Sequence, residues 1–170
     1  MRFNKGIKLF LLILVVLAIP AAVWLVIDSD LTTLGVKAGH AEEALVFLMP
    51  AEARFTQGET VELAVKIDTG KEAVGGCRIL VNFTDEFIEL AEEPRLGVVF
   101  PGLRVRKEAG RLIFEGSGRL WGQGTVAVLV FKAKKTGLAM VEIDRESIVW
   151  DEEKRFNLLK NVAGTKIEVE

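Results

Sequence analysis

Between residues 61 and 83 the sequence alternates apolar and polar side chains, and this period of two restricts the chain to β structure. In the first strand the odd-numbered positions are apolar, namely Val61, Leu63, Val65 and Ile67. The even-numbered positions, here called the other parity, include the polar residues Glu62, Lys66 and Asp68. The pattern returns from Cys77 to Phe83, as expected for strands with one buried and one solvated face. Further short strand candidates, separated by glycine-containing turns, recur from Ala44 to Val169. No segment after residue 43 has a helical period, so the sequence predicts an all-β sandwich.

The first part of the chain contains a run of 19 uncharged residues, Leu9 to Ile27. About 20 apolar residues are needed to cross the hydrocarbon core of a membrane as a helix. Arg2, Lys5 and Lys8 precede the run and Asp28 follows it, which predicts a cytoplasmic N-terminus and an extracytoplasmic C-terminal domain. The expected location is therefore a bacterial or archaeal cell membrane, with a single span. A cleaved signal peptide is the alternative, although its apolar region is usually about 7 to 15 residues long.

The length of the rest of the chain predicts one domain, and its charge argues against nucleic-acid binding. Residues 41–170 hold 18 Lys and Arg against 22 Asp and Glu, a net charge of −4. Such a surface disfavours nucleic acid, whose binding requires a basic face. The predicted organisation is a cytoplasmic N-terminus (1–8), a transmembrane helix (9–27), a stalk (28–43) and one β-sandwich (44–170).

The sandwich lacks the residue combinations of the common catalytic and metal sites. His40 is the only histidine and lies in the stalk, which leaves no base for a Ser-His-Asp or Cys-His arrangement. Cys77 falls on the inward parity of its strand, where a thiol acts as a small apolar group. Acidic pairs such as Asp85-Glu86 stand at strand ends, where solvated carboxylates are ordinary. We expect no enzyme, no zinc and no cofactor, while a structural calcium held by backbone carbonyls is left open.

Two tryptophans are candidates for ligand contact. Trp150 ends the apolar run Ile148-Val149-Trp150, which favours a place in the core. Trp121 lies in a glycine-flanked segment that can present Arg119, Leu120 and Trp121 outward together. Exposed Trp, Leu and Arg are typical of the energetic centre of a protein interface, although a Trp121 folded back over the sandwich edge is an equal alternative.

The order of these segments resembles a cohesin module. The resemblance covers Ala44 to Glu170 and rests on the following segments: Gln57 to Glu62 leading into Ala64 to Asp68, Val74 to Asp85 with Ile88 to Leu90, Gly110 to Phe114, Gly122 to Lys134, and Asn161 to Val169.

Cohesins are non-catalytic receptor domains that dock dockerin-bearing proteins in cellulosomes, the assemblies of polysaccharide catabolism. The resemblance implies a nine-stranded jelly-roll β-sandwich, related to carbohydrate-binding modules, that binds a protein partner. In cellulosomal members the strand matching Gly76 to Arg78 carries an outward Asn and Asp that bind dockerin. Gly76 and Arg78 stand at those positions here, and an Asp-to-Arg change reverses the local charge, which favours a different partner.

The predicted recognition face combines two outward strand rows with the glycine-flanked segment. Its candidate partner-binding residues are Arg78, Leu80, Asn82, Glu115, Ser117, Arg119, Leu120 and Trp121. Three functions remain open: a membrane-anchored module that tethers a dockerin-like or other protein, a module that binds polysaccharide through Trp121, and a structural subunit that packs against copies of itself.

Overall fold

The computed structural model describes residues 44–153 and 156–170, which form an all-β sandwich. The predicted fold class is confirmed, but eleven strands replace the predicted nine. The strands are β1 (Ala44–Met49), β2 (Glu52–Phe55), β3 (Thr60–Phe83), β4 (Ile88–Leu90), β5 (Arg95–Leu96), β6 (Arg104–Glu108), β7 (Arg111–Ala133), β8 (Gly137–Ile143), β9 (Ile148–Asp151), β10 (Leu159–Ala163) and β11 (Thr165–Val169).

The predicted and observed strands differ in two ways. Strands predicted separately at 61–67 and 77–83 join into β3, and those at 112–115 and 125–133 join into β7. Three short strands, β2, β5 and β10, were not predicted because their two to five residues carry no clear alternation.

Two layers of mostly antiparallel strands share the long strands β3 and β7, while β10 joins β1 and β2 joins β11 in parallel. Residues 60–68 of β3 pair with β1 and with residues 123–132 of β7, while residues 74–82 pair with β9 and with residues 111–120 of β7. We call the layer β10–β1–β3–β7–β5 the back layer and the layer β9–β3–β7–β6 the front layer. β8 joins the end of β3, and β11 and β2 continue from β8.

The bend between the layers is stabilised by a buried threonine. The β3–β7 register shifts between Asp68 and Ala73, as at a β-bulge. The Thr69 hydroxyl donates to the Glu72 carbonyl at 2.8 Å and accepts from the Gly122 N–H at 2.9 Å. These bonds satisfy groups that the interrupted ladder would otherwise leave unpaired.

The core lies between the layers and comes from the parity that the sequence predicted. Leu63, Val65, Ile67, Ile79 and Val81 of β3 are fully buried, together with Leu112, Phe114, Leu129 and Phe131 of β7. Cys77 lies in the same cluster, as predicted, and burial raises the pKa of its thiol to about 12.

Within residues 44–153 and 156–170 no helix is long and apolar enough to span a membrane. The predicted transmembrane helix (9–27) and the stalk (28–43) lie outside the described residues.

Cys77 is expected to be inert in the folded protein. Since the thiolate is the reactive species, the native chain at pH 8 should react with a disulfide reagent such as Ellman's only after unfolding in guanidinium. Absorbance of the released thiolate measures this. Reaction of the native chain at the rate of a free thiol would contradict the buried position.

Candidate functional site

The outward side of the front layer, here the front face, is built from cross-strand rows. One row runs Ile148–Arg78–Glu115–Arg104 across β9, β3, β7 and β6. Directly opposed residues on one face of a sheet have Cβ atoms about 5 Å apart, so their side chains interact. Arg78 Nε lies 3.2 Å from Glu115 Oε1. Arg104, in contrast, has no ion-pair partner within the described ranges.

The neighbouring row corrects one predicted contact residue. Leu80 lies on the outward parity as expected, but only 4% of its surface is exposed, as is the case for Ile113 opposite it. The two apolar side chains pair between two sets of long polar side chains, the Arg78–Glu115 pair on one side and Asn82 with Arg111 on the other. The loop after β8 also lies against Leu80, since the Asp144 N–H donates to the Leu80 carbonyl and the Leu80 N–H donates to Ser147 Oγ. Leu80 is therefore buried and is not a free contact residue.

Asn82 belongs to a hydrogen-bonded network at one end of the front face. Its side-chain amide donates to Asp144 Oδ2 at 3.0 Å, and its carbonyl oxygen accepts from Arg111 Nε at 2.7 Å. Arg111 also binds Asp144 Oδ2 at 3.0 Å. The N–H of Glu146, the amide of Asn82 and the Arg111 guanidinium together lower the pKa of the Asp144 carboxyl. The network fixes the loop after β8 against the front layer.

This network predicts a pH-dependent contribution to stability. Asp144→Asn should lower the free energy of unfolding at pH 7 by on the order of 1 kcal/mol, because hydrogen bonds to a charged acceptor are lost. Because the pKa of Asp144 is lower in the folded than in the unfolded chain, its ionised carboxylate stabilises the folded state at any pH above the unfolded pKa of about 3.9. This stabilisation is lost as the pH falls through the folded-state pKa. The difference from wild type should therefore shrink below about pH 4.

Denaturant unfolding at pH 7 and pH 3 measures both differences. Glu146→Gln, at an exposed neighbouring position, is the control and should change little. A loss in Asp144→Asn that is as large at pH 3 as at pH 7 would contradict the assigned role of the carboxylate.

Trp150 lies at the front layer and not in the core, contrary to expectation. It is half-buried and pairs with Gly76. A Cβ built at Gly76 would come within 2.6 Å of the Trp150 ring and 2.4 Å of the Gly116 carbonyl, so only glycine admits the indole there. The φ of Gly76, +154°, also disfavours other residues. Gly76 stands where the resemblance to cohesins implies a dockerin-contacting residue. In this protein that position is covered by Trp150.

The segment from Ser117 to Trp121 is part of β7, and the strand period separates its side chains. Ser117 and Arg119 are exposed, and Arg119 Nε lies 2.5 Å from Glu152 Oε1. Trp121 is 66% exposed, which confirms its outward position. Leu120 points the other way and packs against the core. The expectation that Leu120 projects outward is wrong because the glycines did not interrupt the strand.

Sequence reasoning missed the contribution of β6. Arg104 and Arg106 stand on its outward parity opposite Glu115 and Ile113, while Val105 packs against the core. The alternation Arg-Val-Arg-Lys-Glu was visible in the sequence and could have placed both arginines. With them the front face carries five arginines, of which four are paired with acids: Arg78 with Glu115, Arg106 with Glu108, Arg111 with Asp144 and Arg119 with Glu152. Among the described residues Arg104 is the arginine of this face that is left without an ion pair.

No group of three or more His, Cys, Asp or Glu side chains within 44–153 and 156–170 has the geometry to hold a metal ion. The predicted carboxylate pairs are engaged or solvated at strand ends; Glu86, for example, binds Lys135 at 2.7 Å. His40 lies outside the described residues.

Comparisons with known proteins show the fold. No family model and no curated protein sequence matches the chain. The solution structure of the cohesin CaCohA2 from Clostridium acetobutylicum is similar at a TM-score of 0.65 and 16% identity, covering 75% of this chain and 91% of that one.

Two further structures have the same architecture. A chain of the type I cohesin–dockerin complex Coh-OlpC-Doc435 from Clostridium thermocellum matches at a TM-score of 0.65 and 16% identity, over 76% of this chain and 95% of its own. The non-cellulosomal cohesin of the archaeon Archaeoglobus fulgidus matches at 0.64 and 12% identity, over 75% of this chain and 91% of its own. The described domain therefore has a cohesin-like fold.

Proposed function

We propose that this chain is a non-catalytic, cohesin-like module that holds a protein partner on its front face. One observation carries the proposal: a four-stranded face with the charged row Arg78–Glu115–Arg104, in which Arg104 has no ion-pair partner among the described residues, on a fold whose solved examples include cohesin–dockerin complexes. Arg104, unpaired among the described residues, favours a partner with a carboxylate in its contact surface, since complementary charge steers association and selects partners.

The partner is proposed to differ from the dockerins of the best-known cellulosomal type. Arg78 and the Trp150-covered Gly76 replace the polar pair that those dockerins contact. A dockerin-like protein with carboxylates facing Arg78 and Arg104 is the form of partner that this face favours.

The apolar segment Leu9 to Ile27 gives the proposed module its location. With basic residues before it and Asp28 after it, the segment would anchor the module in a cell membrane with the sandwich outside. A non-catalytic receptor acts by holding a partner in place, so the anchor would turn binding into tethering at the cell surface.

Reversing the charge of the front face should weaken this binding. The double variant Arg78→Glu/Arg104→Glu is expected to reduce affinity by about tenfold or more, mainly through slower association that depends on salt. Surface plasmon resonance with the partner recovered by pull-down on the full chain measures both rates. Lys132→Glu, at an exposed position on the back layer of β7, is the matched control and should bind normally.

Two outcomes would contradict the proposal. A pull-down that recovers only glycans would exclude the protein-binding function. Equal weakening by Lys132→Glu would place the interface elsewhere.

A polysaccharide-binding function is the second candidate, and the exposed indole of Trp121 favours it. Aromatic rings bind sugars by stacking, and 66% of the Trp121 surface is open to solvent. If this function holds, the full chain should bind specific sugars on a glycan array and Trp121→Ala should abolish the signal. Retention of glycan binding by Trp121→Ala, or the absence of any glycan signal from the wild type, would exclude this role of Trp121.

A further inference from the structure

The outward side of the back layer, here the back face, carries an apolar stripe that the front-face function does not use. Its members are Leu45, Phe47, Met49, Ala64, Val128 and Val130. They alternate with the core residues of the same strands and are not part of the core cluster. All six are partly exposed, and Met49 is 48% exposed. A sheet that faced only water would carry polar residues on this parity.

The register of three strands makes one row of the stripe continuous, while Leu45 and Phe47 stand opposite Asp68 and Lys66, and Val130 opposite Glu62. Met49 opposes Ala64, and Ala64 opposes Val128, so the three form a row across β1, β3 and β7. Arg95 ends this row on β5, where Glu62 and Glu92 bind it. The small side chain at the centre of the row, Ala64, permits close approach of another surface.

Charges flank this row asymmetrically. On β3, Lys66 stands two residues after Ala64 and Glu62 two residues before it, both on the outward parity. Lys66 has no ion-pair partner among residues 44–153 and 156–170, while Glu62 binds Arg95. An antiparallel copy of the same surface would place each Lys66 opposite a glutamate.

We propose that the back face is a self-association surface between two copies of this chain. The twofold axis lies in the interface along the row Met49–Ala64–Val128, so that the two β3 strands cross antiparallel. Lys66 of one copy then faces Glu62 of the partner subunit, and the reverse pair forms by symmetry. A lipid surface fits less well, because Glu62 and Asp68 would be held against it. The proposal is independent of the front face, which stays free for another partner.

The area of the stripe limits how strongly two copies of the chain can associate. Three strand widths of about 4.8 Å and five residues of about 3.4 Å give roughly 250 Å² per copy. Stable complexes bury about 800 Å² per partner. The pair is therefore weak and forms at high local concentration.

Site-specific cross-linking of the full chain tests the interface. Ala64→Cys places a thiol on the axis, and the native Cys77 does not interfere because it is buried and its pKa is raised. Stacked sheets lie about 10 Å apart, which exceeds the usual Cα separation of a disulfide, so a short bismaleimide is the appropriate reagent. Ser117→Cys, exposed on the front face, is the control for random encounter. We expect at least about tenfold more covalent dimer from Ala64→Cys, and equal or lower yield than the control would overturn the proposal.

Charge exchange tests the symmetry within the same experiment. In the Ala64→Cys background, Lys66→Glu and Glu62→Lys each create like-charged homodimers, and each should lower the cross-linked yield roughly threefold. A 1:1 mixture of the two variants also forms heterodimers, in which only opposite charges face each other, so its yield should exceed that of either variant alone. Cooperative unfolding by circular dichroism verifies that each variant folds. Unchanged yield in both single variants, or no recovery in the mixture, would refute the antiparallel arrangement.

Discussion

The structure depends on the pairing of β3 with β7, which continues through both layers of the sandwich. The register begins at Thr60 with Lys132 and reaches Asn82 with Arg111, interrupted only by bulges. Because both strands bend together at Thr69 and Gly122, each supplies a central strand to the back layer and then to the front layer. The other strands add to this pair: β1 on one side of β3, β9 on its second half, and β4, β5 and β6 along β7. One hydrogen-bonded ladder thus fixes the relative position of both outward faces.

Period-two alternation predicted most of the core because it depends on each strand alone. Leu63, Val65, Cys77 and Ile79 are buried where the parity places them. Leu80 shows the limit of this reasoning. Its position in the alternation points outward, yet it is buried, with Ile113 opposite it and the loop from Asp144 to Ser147 hydrogen-bonded to its backbone. Which residues lie beside Leu80 depends on how neighbouring strands are aligned, and the sequence of one strand does not specify that alignment.

The glycine-flanked segment failed as a prediction for a different physical reason. In the sequence Gly118, Gly122 and Gly124 indicate a connection, yet all three lie within β7. A Cβ at Gly116 would meet Leu103 and Phe100, one at Gly118 would meet Pro101, and one at Gly124 would meet Val99. These glycines admit the segment 99–103 against the strand, so the strand continues and Leu120 keeps the inward parity. Of the two alternatives for Trp121, the outward one holds, because Trp121 lies at an outward position of the strand and is 66% exposed.

Two usable faces on one sandwich follow from the same alternation that builds its core. Every central strand that buries one parity must expose the other, and here the exposed parity differs between layers: arginine-rich on the front and apolar on the back. A weak dimer formed through the back face would leave both front faces accessible. Two linked binding faces raise the overall avidity for a partner without any new contact in either face. A membrane anchor would add to this effect, because confinement to a surface increases the local concentration on which a small interface depends. The proposed functions of the two faces are therefore compatible: one selects the partner, and the other determines how many copies meet it.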